Sequence, residues 1–542
     1  MTAPYICLNC RRTCLRALQF RRPFSSSPRI LHDSNSSTIT RPPTGPKPVP
    51  NVKHIRENAE LYSQNCIDRN YRSLSEYPSR IKSLADEAAQ LQRSLNAPRS
   101  KIKQVQRAIA KLATSSTEGK GKAPGKNEEL DALHLEAKQL KDASQSMTDR
   151  REKCLEEVQQ LALSLPNLTS KETPRGDIPR VVNYINYDPR SPPGFVSSPE
   201  PTRNHVSIGT SLGLLDFTSS ATSTGWGWYY LTNEGALLEQ ALVQYALSVA
   251  MRRGWKPVSP PTLVYSYIAE ACGFQPRDVN NEQQIWSIEQ NEKDKSKPQR
   301  CLTGTAEIPL AAMYAGQEIP ADKLPLKFIG ISRCYRAEAG ARGVDTKGLY
   351  RVHEFTKVEL FGWADDIPEA NSKSATTTTT TTTSSSSSSS STLFSEMLSI
   401  QTEILSSLNL PCRILEMPTA DLGASAARKQ DIETLFPSRL HHTLTQQPSQ
   451  AESFDQNGWG EVTSASICTD YQSRRLGTRV RTGAAARFPS TVNGTAVAVP
   501  RVMAAILENG WDEKRGVVIV PEVLRNWMGG IETIGGREGM VE

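Results

Sequence analysis

Apolar residues in the first third of the chain fall into two series that step alternately by three and four. The first runs Ile81, Leu84, Ala88, Leu91, Leu95, then Ile102, Val105, Ile109 and Leu112. The second runs Leu130, Leu133, Ala137, Leu140, Met147, Cys154, Val158, Leu161 and Leu165. Such spacing puts each series on one helix face as a coiled-coil seam, with Ser144 and Arg151 as polar interruptions of the second. Pro98 sits on a seam position without the N–H that a helix interior needs, so the first helix is expected to kink or break there. Between the series, Thr114 to Asn127 (TSSTEGKGKAPGKN) has the Gly, Ser and Lys content of a turn. Two seams joined by a polar turn must face each other, which predicts an antiparallel helical hairpin with a cationic tip.

The pattern changes after Pro166. A polar connector containing NLTSKETPRGDIP and DPRSPPG leads to about His205, from where strand and helix signals alternate to the C-terminus as one large α/β-type domain. One stretch inside it is foreign: Thr376 to Thr383 followed by Ser384 to Ser391 cannot bury apolar surface and reads as a disordered surface insertion at about 371–392. The run RPPTGPKPVP at 41–50 cannot hold a helix or central strand and reads as linker. The expected divisions are therefore 1–50, 51–167 for the hairpin domain, 168–204 for the connector and 205–542 for the large domain.

With 542 residues, 37% of them hydrophobic, the chain can bury at least one large core, which excludes a disulfide-stapled or disordered class. Its formal net charge of +7 favours polyanionic partners too weakly to decide among them. The ten cysteines are scattered; Cys7, Cys10 and Cys14 alone are close, and they fall in a segment with the marks of a removable leader. No structural zinc is expected. That leader carries Arg11, Arg12, Arg16, Arg21, Arg22 and Arg29, has no acid before Asp33 and includes Ser25-Ser26-Ser27, the composition of a mitochondrial transit peptide. Arg22-Pro23-Phe24 before Ser25 suits cleavage after Phe24 and a destination in the mitochondrial matrix; the alternative is a basic arm that stays and touches nucleic acid. No run approaches the ~18 apolar residues of a membrane span, and no membrane insertion is expected.

Lys120, Lys122 and Lys126 at the hairpin tip could follow RNA phosphates, or the hairpin could be a solvated spacer or dimer handle; the pattern alone leaves both open. The tip is not a phosphate-binding P-loop. Gly119 is one residue too far from Gly125-Lys126, Gly121 one too near, and Asn127 stands where a Ser or Thr is required.

Chemistry concentrates in FIGISRCYRAEAGARGVDTKGLYRVHEFTKVELFGW, from Phe328 to Trp363, which reads as two strands joined by a long Gly-rich loop. Alternate strand residues share a face, so Arg336 and Glu338 project together, as do Arg351, His353, Phe355, Lys357 and Glu359, with Val352, Val358 and Leu360 on the core side. Charges on an inner sheet are costly without partners, and a ligand bearing both phosphate and ammonium would supply them. An exposed face laced with ion pairs is the competing explanation.

This string resembles motif 2 of the class II aminoacyl-tRNA synthetases, and in the form RCYRAEAG…DTKGLYRVHEFTKVEL that of the seryl-tRNA synthetases. RGWKPVSPPTLV, with Gly254 and Pro261, resembles motif 1. NGTAVAVPRVMAAILEN, from Asn493 to Asn509, resembles motif 3: Pro500 suits a first helical turn, Val502, Met503, Ile506 and Leu507 form the apolar stripe, and Arg501 sits where free N–H groups can meet an anion. LTGTAEIPLA resembles the serine-recognition loop, and EVTSASICTDYQSRRLG the segment before motif 3 that touches ATP. The resemblance covers nearly everything from Val52 onward except the Thr/Ser tract.

The resemblance implies an α+β fold: a tRNA-binding helical hairpin followed by a catalytic domain with a mainly antiparallel sheet flanked by helices. It implies a serine–tRNA ligase that forms seryl-adenylate from L-serine and ATP and transfers serine to tRNA(Ser). Arg336 would hold the α-phosphate, Glu338 read the adenine amino group, Phe355 stack on the ring and Arg501 clamp the γ-phosphate. Ala337, Val352, His353, Glu354, Glu461, Val462, Thr463 and Ser464 would complete the nucleotide site, Glu461 and Ser464 adjoining Mg2+. Thr305, Ala306, Glu307, Arg336, Glu359 and Thr495 would surround the serine, with Arg336, Arg501 and Glu359 as catalytic residues. A homodimer is implied, and no DNA partner. Two residues depart from the family: Glu354 stands where Gln is usual and Ile467 where Asn is common. The rival readings are a synthetase-like paralogue that binds RNA or a carrier protein without charging tRNA, and a structural coiled-coil protein. Loss of the arm, or of Arg336, Glu359 or Arg501, would mark the paralogue, and none is lost.

Overall fold

The computed structural model describes residues 41–117, 126–197, 203–274, 284–338, 348–366, 389–440, 458–481 and 487–536. The leader, Lys120, Lys122 and most of the Thr/Ser tract lie outside these residues, as does the side chain of Lys126.

Five helices build the N-terminal part: α1 (Val52–Glu57), α2 (Ala59–Asp68), α3 (Tyr77–Ser94), α4 (Asn96–Thr117) and α5 (Lys126–Ser164). Pro78 lies in the first turn of α3, where a missing N–H costs nothing. Pro98 breaks the limb rather than kinking it: α3 stops at Ser94, whose carbonyl Pro98 cannot serve, and α4 starts at Asn96. At 1.5 Å per residue α5 reaches about 58 Å, and α3 and α4 pack along it. Ile81, Leu84 and Ala88 meet Cys154, Val158 and Leu165 in a buried seam, as their spacing predicts. Ion pairs Arg80–Glu157, Glu87–Arg150 and Lys101–Glu136 cross the hairpin. Steps of seven and fourteen residues along one limb match equal steps along the other, so the register holds through the break. These exposed pairs fix alignment more than they stabilise.

The arm is anchored at its base. Arg69, 1% exposed, donates to the carbonyl oxygens of Asn167 and Gly423, and Asn167 Nδ2 donates to the carbonyls of Ser425 (2.9 Å) and Cys468 (2.8 Å). The Pro-rich run is neither helix nor central strand, yet it is docked rather than free. Val49 N donates to the Arg474 carbonyl (2.8 Å), and Gln159 of α5 donates to the Pro48 carbonyl (3.1 Å).

The large domain is built on an eight-stranded sheet. In chain order its strands are β1 (Arg180–Ile185), β2 (Lys256–Val258), β3 (Leu326–Tyr335), β4 (Glu354–Ala364), β5 (Cys412–Glu416), β6 (Arg428–Leu435), β7 (Trp459–Thr469) and β8 (Ser490–Ala498). Their spatial order is β1-β5-β6-β7-β8-β4-β3-β2, antiparallel throughout except for the β2–β3 pair. The sheet is thus the mainly antiparallel one expected. Because β1 lies at 180–185, part of the segment expected as connector belongs to the sheet. Around it stand α6 (His205–Ser211), α7 (Asn233–Arg252), α8 (Glu307–Ala312), α9 (Ser389–Ser407), α10 (Tyr471–Leu476) and α11 (Val499–Asn509). The Thr/Ser tract also ends earlier than expected: Ser389 to Thr392 open α9, and Ser390 is buried with its N–H on Asp366 Oδ1 (2.9 Å).

The two faces of β4 divide the labour. Val358 and Leu360 join the main core with Leu238, Leu242, Ile400, Ile404 and Met503 from α7, α9 and α11. Phe355, Lys357 and Glu359 alternate with them on the other face, where Phe355 and Lys357 line a cleft.

Candidate active site

Arg336 follows β3, and Arg501 occupies the first turn of α11. Between them lies a cleft that also meets Glu338, Val352, Phe355 and Glu461. The Arg336 guanidinium carbon stands 5.4 Å from the centre of the Phe355 ring. Its backbone is held twice by His353: Arg336 N donates to the His353 carbonyl (2.9 Å), and His353 Nδ1 donates to the Arg336 carbonyl (3.0 Å). Glu338 adopts φ +48°, unusual for a residue with a side chain, and accepts from Arg351 Nη1 at 3.1 Å. Strained backbone of this kind collects at functional sites.

Arg501 is equally constrained. Its Nη1 donates to the Glu461 carboxylate and carbonyl, both at 3.0 Å, and its Nε to the Tyr350 carbonyl at 3.2 Å. The guanidinium carbons of Arg501 and Arg439 lie 4.5 and 3.9 Å from the Tyr350 ring centre. Burial alone would raise the Glu461 carboxyl, but Lys429, Arg501 and Arg336 outweigh it and hold the group down at about 2. Val462, Thr463, Ser464 and Thr495 line the same wall.

A second polar group lies beneath the cleft. Gly330 on β3 pairs with Glu359 on β4, and a Cβ at Gly330 would stand 3.1 Å from Leu310 and 3.5 Å from Ala306. The missing side chain lets α8 lie against the sheet and brings Thr305, Ala306 and Glu307, all buried, toward Glu359. Lys357 Nζ pairs with Glu359 at 2.7 Å, and Thr495 Oγ1 donates to it at 3.3 Å. Gln472 Nε2 donates to Glu307 at 2.6 Å. Burial, then the adjacent Glu359, push the Glu307 carboxyl up to about 7 against the pull of Lys357, Gln472 and Asn493. This pocket has carboxylates for an ammonium group and hydroxyls for a hydroxyl.

Arg336, Glu338, Val352, Phe355, Glu461, Val462, Thr463, Ser464, Thr495 and Arg501 thus share one cleft, and Thr305, Ala306, Glu307 and Glu359 adjoin it. Three residues expected at the nucleotide stand behind its wall. The His353 ring sits among Trp226, Trp228 and Trp286, with ring centres 5.5–6.0 Å away. Glu354 pairs with Arg333 Nε at 2.8 Å, and Ala337 N donates to the Gln284 carbonyl at 3.2 Å. Val352, expected on the core side, packs instead with Cys334 and Phe355, because it precedes β4 and escapes the strand alternation. Ile467 belongs to the main core, so its departure from the family falls away from the cleft. The sequence assigns no individual role to Tyr350, Arg351, Lys357, Lys429 or Gln472. Arg351 and Lys357 lay in the charged row and could have been assigned; Gln472, 165 residues from Glu307, gave no local signal.

Among the described residues no group of three or more His, Cys, Asp or Glu stands together as a metal cluster, and no helix is long and apolar enough to cross a membrane. Cys66, Cys154, Cys272, Cys301, Cys334, Cys412 and Cys468 are free and buried.

A mainly antiparallel sheet with one arginine after a strand and another at a helix start, around a phenylalanine, is the arrangement expected of a class II aminoacyl-tRNA synthetase, and comparison with known proteins agrees. Residues 287–510 match the tRNA synthetase class II core domain (G, H, P, S and T), and residues 50–169 match the seryl-tRNA synthetase N-terminal domain. The mitochondrial serine–tRNA ligase of Saccharomyces cerevisiae is 35% identical over 89% of this chain and 93% of its own. That of Schizosaccharomyces pombe is 38% identical over 88% and 87%. The crystal structure of seryl-tRNA synthetase from Pyrococcus horikoshii complexed with ATP superposes with a TM-score of 0.72 at 28% identity, covering 90% of this chain and all of that one. The chain belongs to the seryl-tRNA synthetase family, and its reaction is the ATP-dependent ligation of serine to tRNA.

Proposed function

We propose that ATP lies in the cleft with its adenine on Phe355, its amino group at Glu338, its α-phosphate on Arg336 and its γ-phosphate on Arg501. Val352 and Val462 to Ser464 border it, while Ala337, His353 and Glu354 support it from behind. Serine enters beneath, its ammonium between Glu307 and Glu359 and its hydroxyl at Thr305 and Thr495. A serine carboxylate oxygen then bonds to the α-phosphorus as the bond to pyrophosphate breaks. Positioning and neutralisation of phosphate charge carry this step. The observation that carries the proposal is the adjacency of two guanidiniums, that of Arg501 held by Glu461 and Tyr350, to a buried pocket of carboxylates and hydroxyls.

Glu461 and Ser464 offer hard oxygen donors on the nucleotide wall, and Glu461 is held ionised, a donor set that fits Mg2+ shared with phosphate oxygens. When bound, the ion would neutralise phosphate charge. In the transfer step the terminal tRNA(Ser) hydroxyl attacks the adenylate carbonyl and AMP leaves. The arm, residues 51–167, grips the tRNA, with Lys120, Lys122 and Lys126 at its tip.

The subunits pair as a homodimer through α7 and β2. The helix-to-strand order of motif 1, the edge position of β2 and the exposed Met251 and Leu263 support this. The yeast mitochondrial relatives and the basic, Ser-rich leader support the mitochondrial matrix. The test is pyrophosphate exchange into ATP by protein lacking its first 24 residues. Exchange with serine but not alanine, glycine or threonine is expected, with loss of about 10³-fold in Arg336→Ala; equal exchange by that variant would remove Arg336 from the chemistry.

A further inference from the structure

The structure assigns His205 a role in the activation step: it is a positioning residue that sets Arg501 for ATP through the backbone of Leu349 and Tyr350. His205 starts α6, far in sequence from Arg336 and Arg501, and lies outside the cleft. Its Nδ1 is 2.6 Å from Glu508 Oε1, and its Nε2 accepts from Leu349 N at 3.1 Å. An imidazole nitrogen that accepts an N–H carries no proton, so the proton is on Nδ1 and is given to Glu508.

Both ends of this relay are fixed. Glu508, on α11 with Arg501, is fully buried and also accepts from His205 N (3.2 Å), Ser438 N (3.0 Å) and Ser438 Oγ (2.7 Å). Leu349 is fully buried too, and Gly348 before it has φ +83°, with room for a Cβ denied by the His205 ring. The next residue, Tyr350, takes the Arg501 Nε on its carbonyl and gives its own hydroxyl to the Glu461 carbonyl at 3.2 Å. His205 thus ties Leu349 and, through it, Tyr350 to the helix that bears Arg501. This inference rests on the reading of Arg501 as an ATP clamp.

Two substitutions separate the hydrogen bonds. His205→Asn can still donate to Glu508 from the Nδ1 position but cannot reach Leu349; His205→Gln can accept from Leu349 but leaves Glu508 without that donor. Serine-dependent pyrophosphate exchange and thermal melting are measured for both and for the unsubstituted protein, whose own exchange tests the ligase reading separately. His205→Asn is expected to melt near the unsubstituted protein and to raise the KM for ATP about tenfold, the worth of one aligned hydrogen bond, with the KM for serine unchanged. His205→Gln is expected to melt lower and keep its KM for ATP. An unchanged KM for ATP in His205→Asn, or equal rises for ATP and serine, would overturn the inference. Should His205→Asn fail to fold, His205→Gln decides: a raised KM for ATP overturns it and an unchanged one upholds it.

Discussion

With its carboxyl enclosed by Gln472, Asn493 and Glu359, Glu307 keeps its proton up to about pH 7, where an exposed glutamate has lost it near 4.5. In the proposed serine pocket an arriving ammonium favours the carboxylate, so below that pH binding must first expel a proton. The KM for serine is therefore expected to fall as pH rises through about 7 and then level off. Stability runs the other way. The folded value lies above the unfolded one, so the native state holds the proton longer; its stabilising effect is complete below about 4.5 and is lost as pH rises through about 7. Glu307→Gln removes this cost, on the order of 3 kcal/mol at most. It is expected to melt above the unsubstituted protein at about pH 8, to bind serine at least tenfold more weakly, and to show no fall in KM across neutrality. Melting curves and serine titrations of exchange at several pH values check this; a KM profile identical to the unsubstituted protein would exclude Glu307 from the serine pocket.

At the scale of elements, the arm and the catalytic sheet were legible for different reasons. The arm announces itself because a seam must repeat: Ile81, Leu84 and Ala88 recur at a spacing only a helix uses, and they are buried where expected. The β3–β4 pair was legible because alternation of charge with apolar residues has one strand interpretation, confirmed in Val358 against Glu359. What escaped lies where local pattern carries no information. β1 sits in a polar connector and is recruited only because β5 offers an unpaired edge. Val352 has the alternation of a core residue but precedes the strand, which begins at Glu354. The pairing of Glu307 with Gln472 joins segments that only the fold brings together. Since the arm core is separate from the main core, Ile81→Ala should cost the arm about 3 kcal/mol. It should lower tRNA charging while leaving serine-dependent pyrophosphate exchange within about twofold. A matching loss in both assays would mean that arm and catalytic domain are energetically one unit.

For the whole molecule, the division of labour follows from the placement of charge. The excess of +7 is small, but cations are concentrated locally: Arg336 and Arg501 face one cleft. The docked run at 41–50 and the buried Arg69 join the base of the arm to the catalytic domain, the attachment that the proposed delivery of tRNA to the cleft requires. The most direct measurement of this account is aminoacylation of a mitochondrial tRNA(Ser) by the protein lacking its first 24 residues, with serine, threonine and alanine compared under equal ATP. Accumulation of seryl-tRNA alone, abolished by Glu359→Gln, is the predicted result; charging with alanine or threonine as readily as with serine, or none at all, would contradict it.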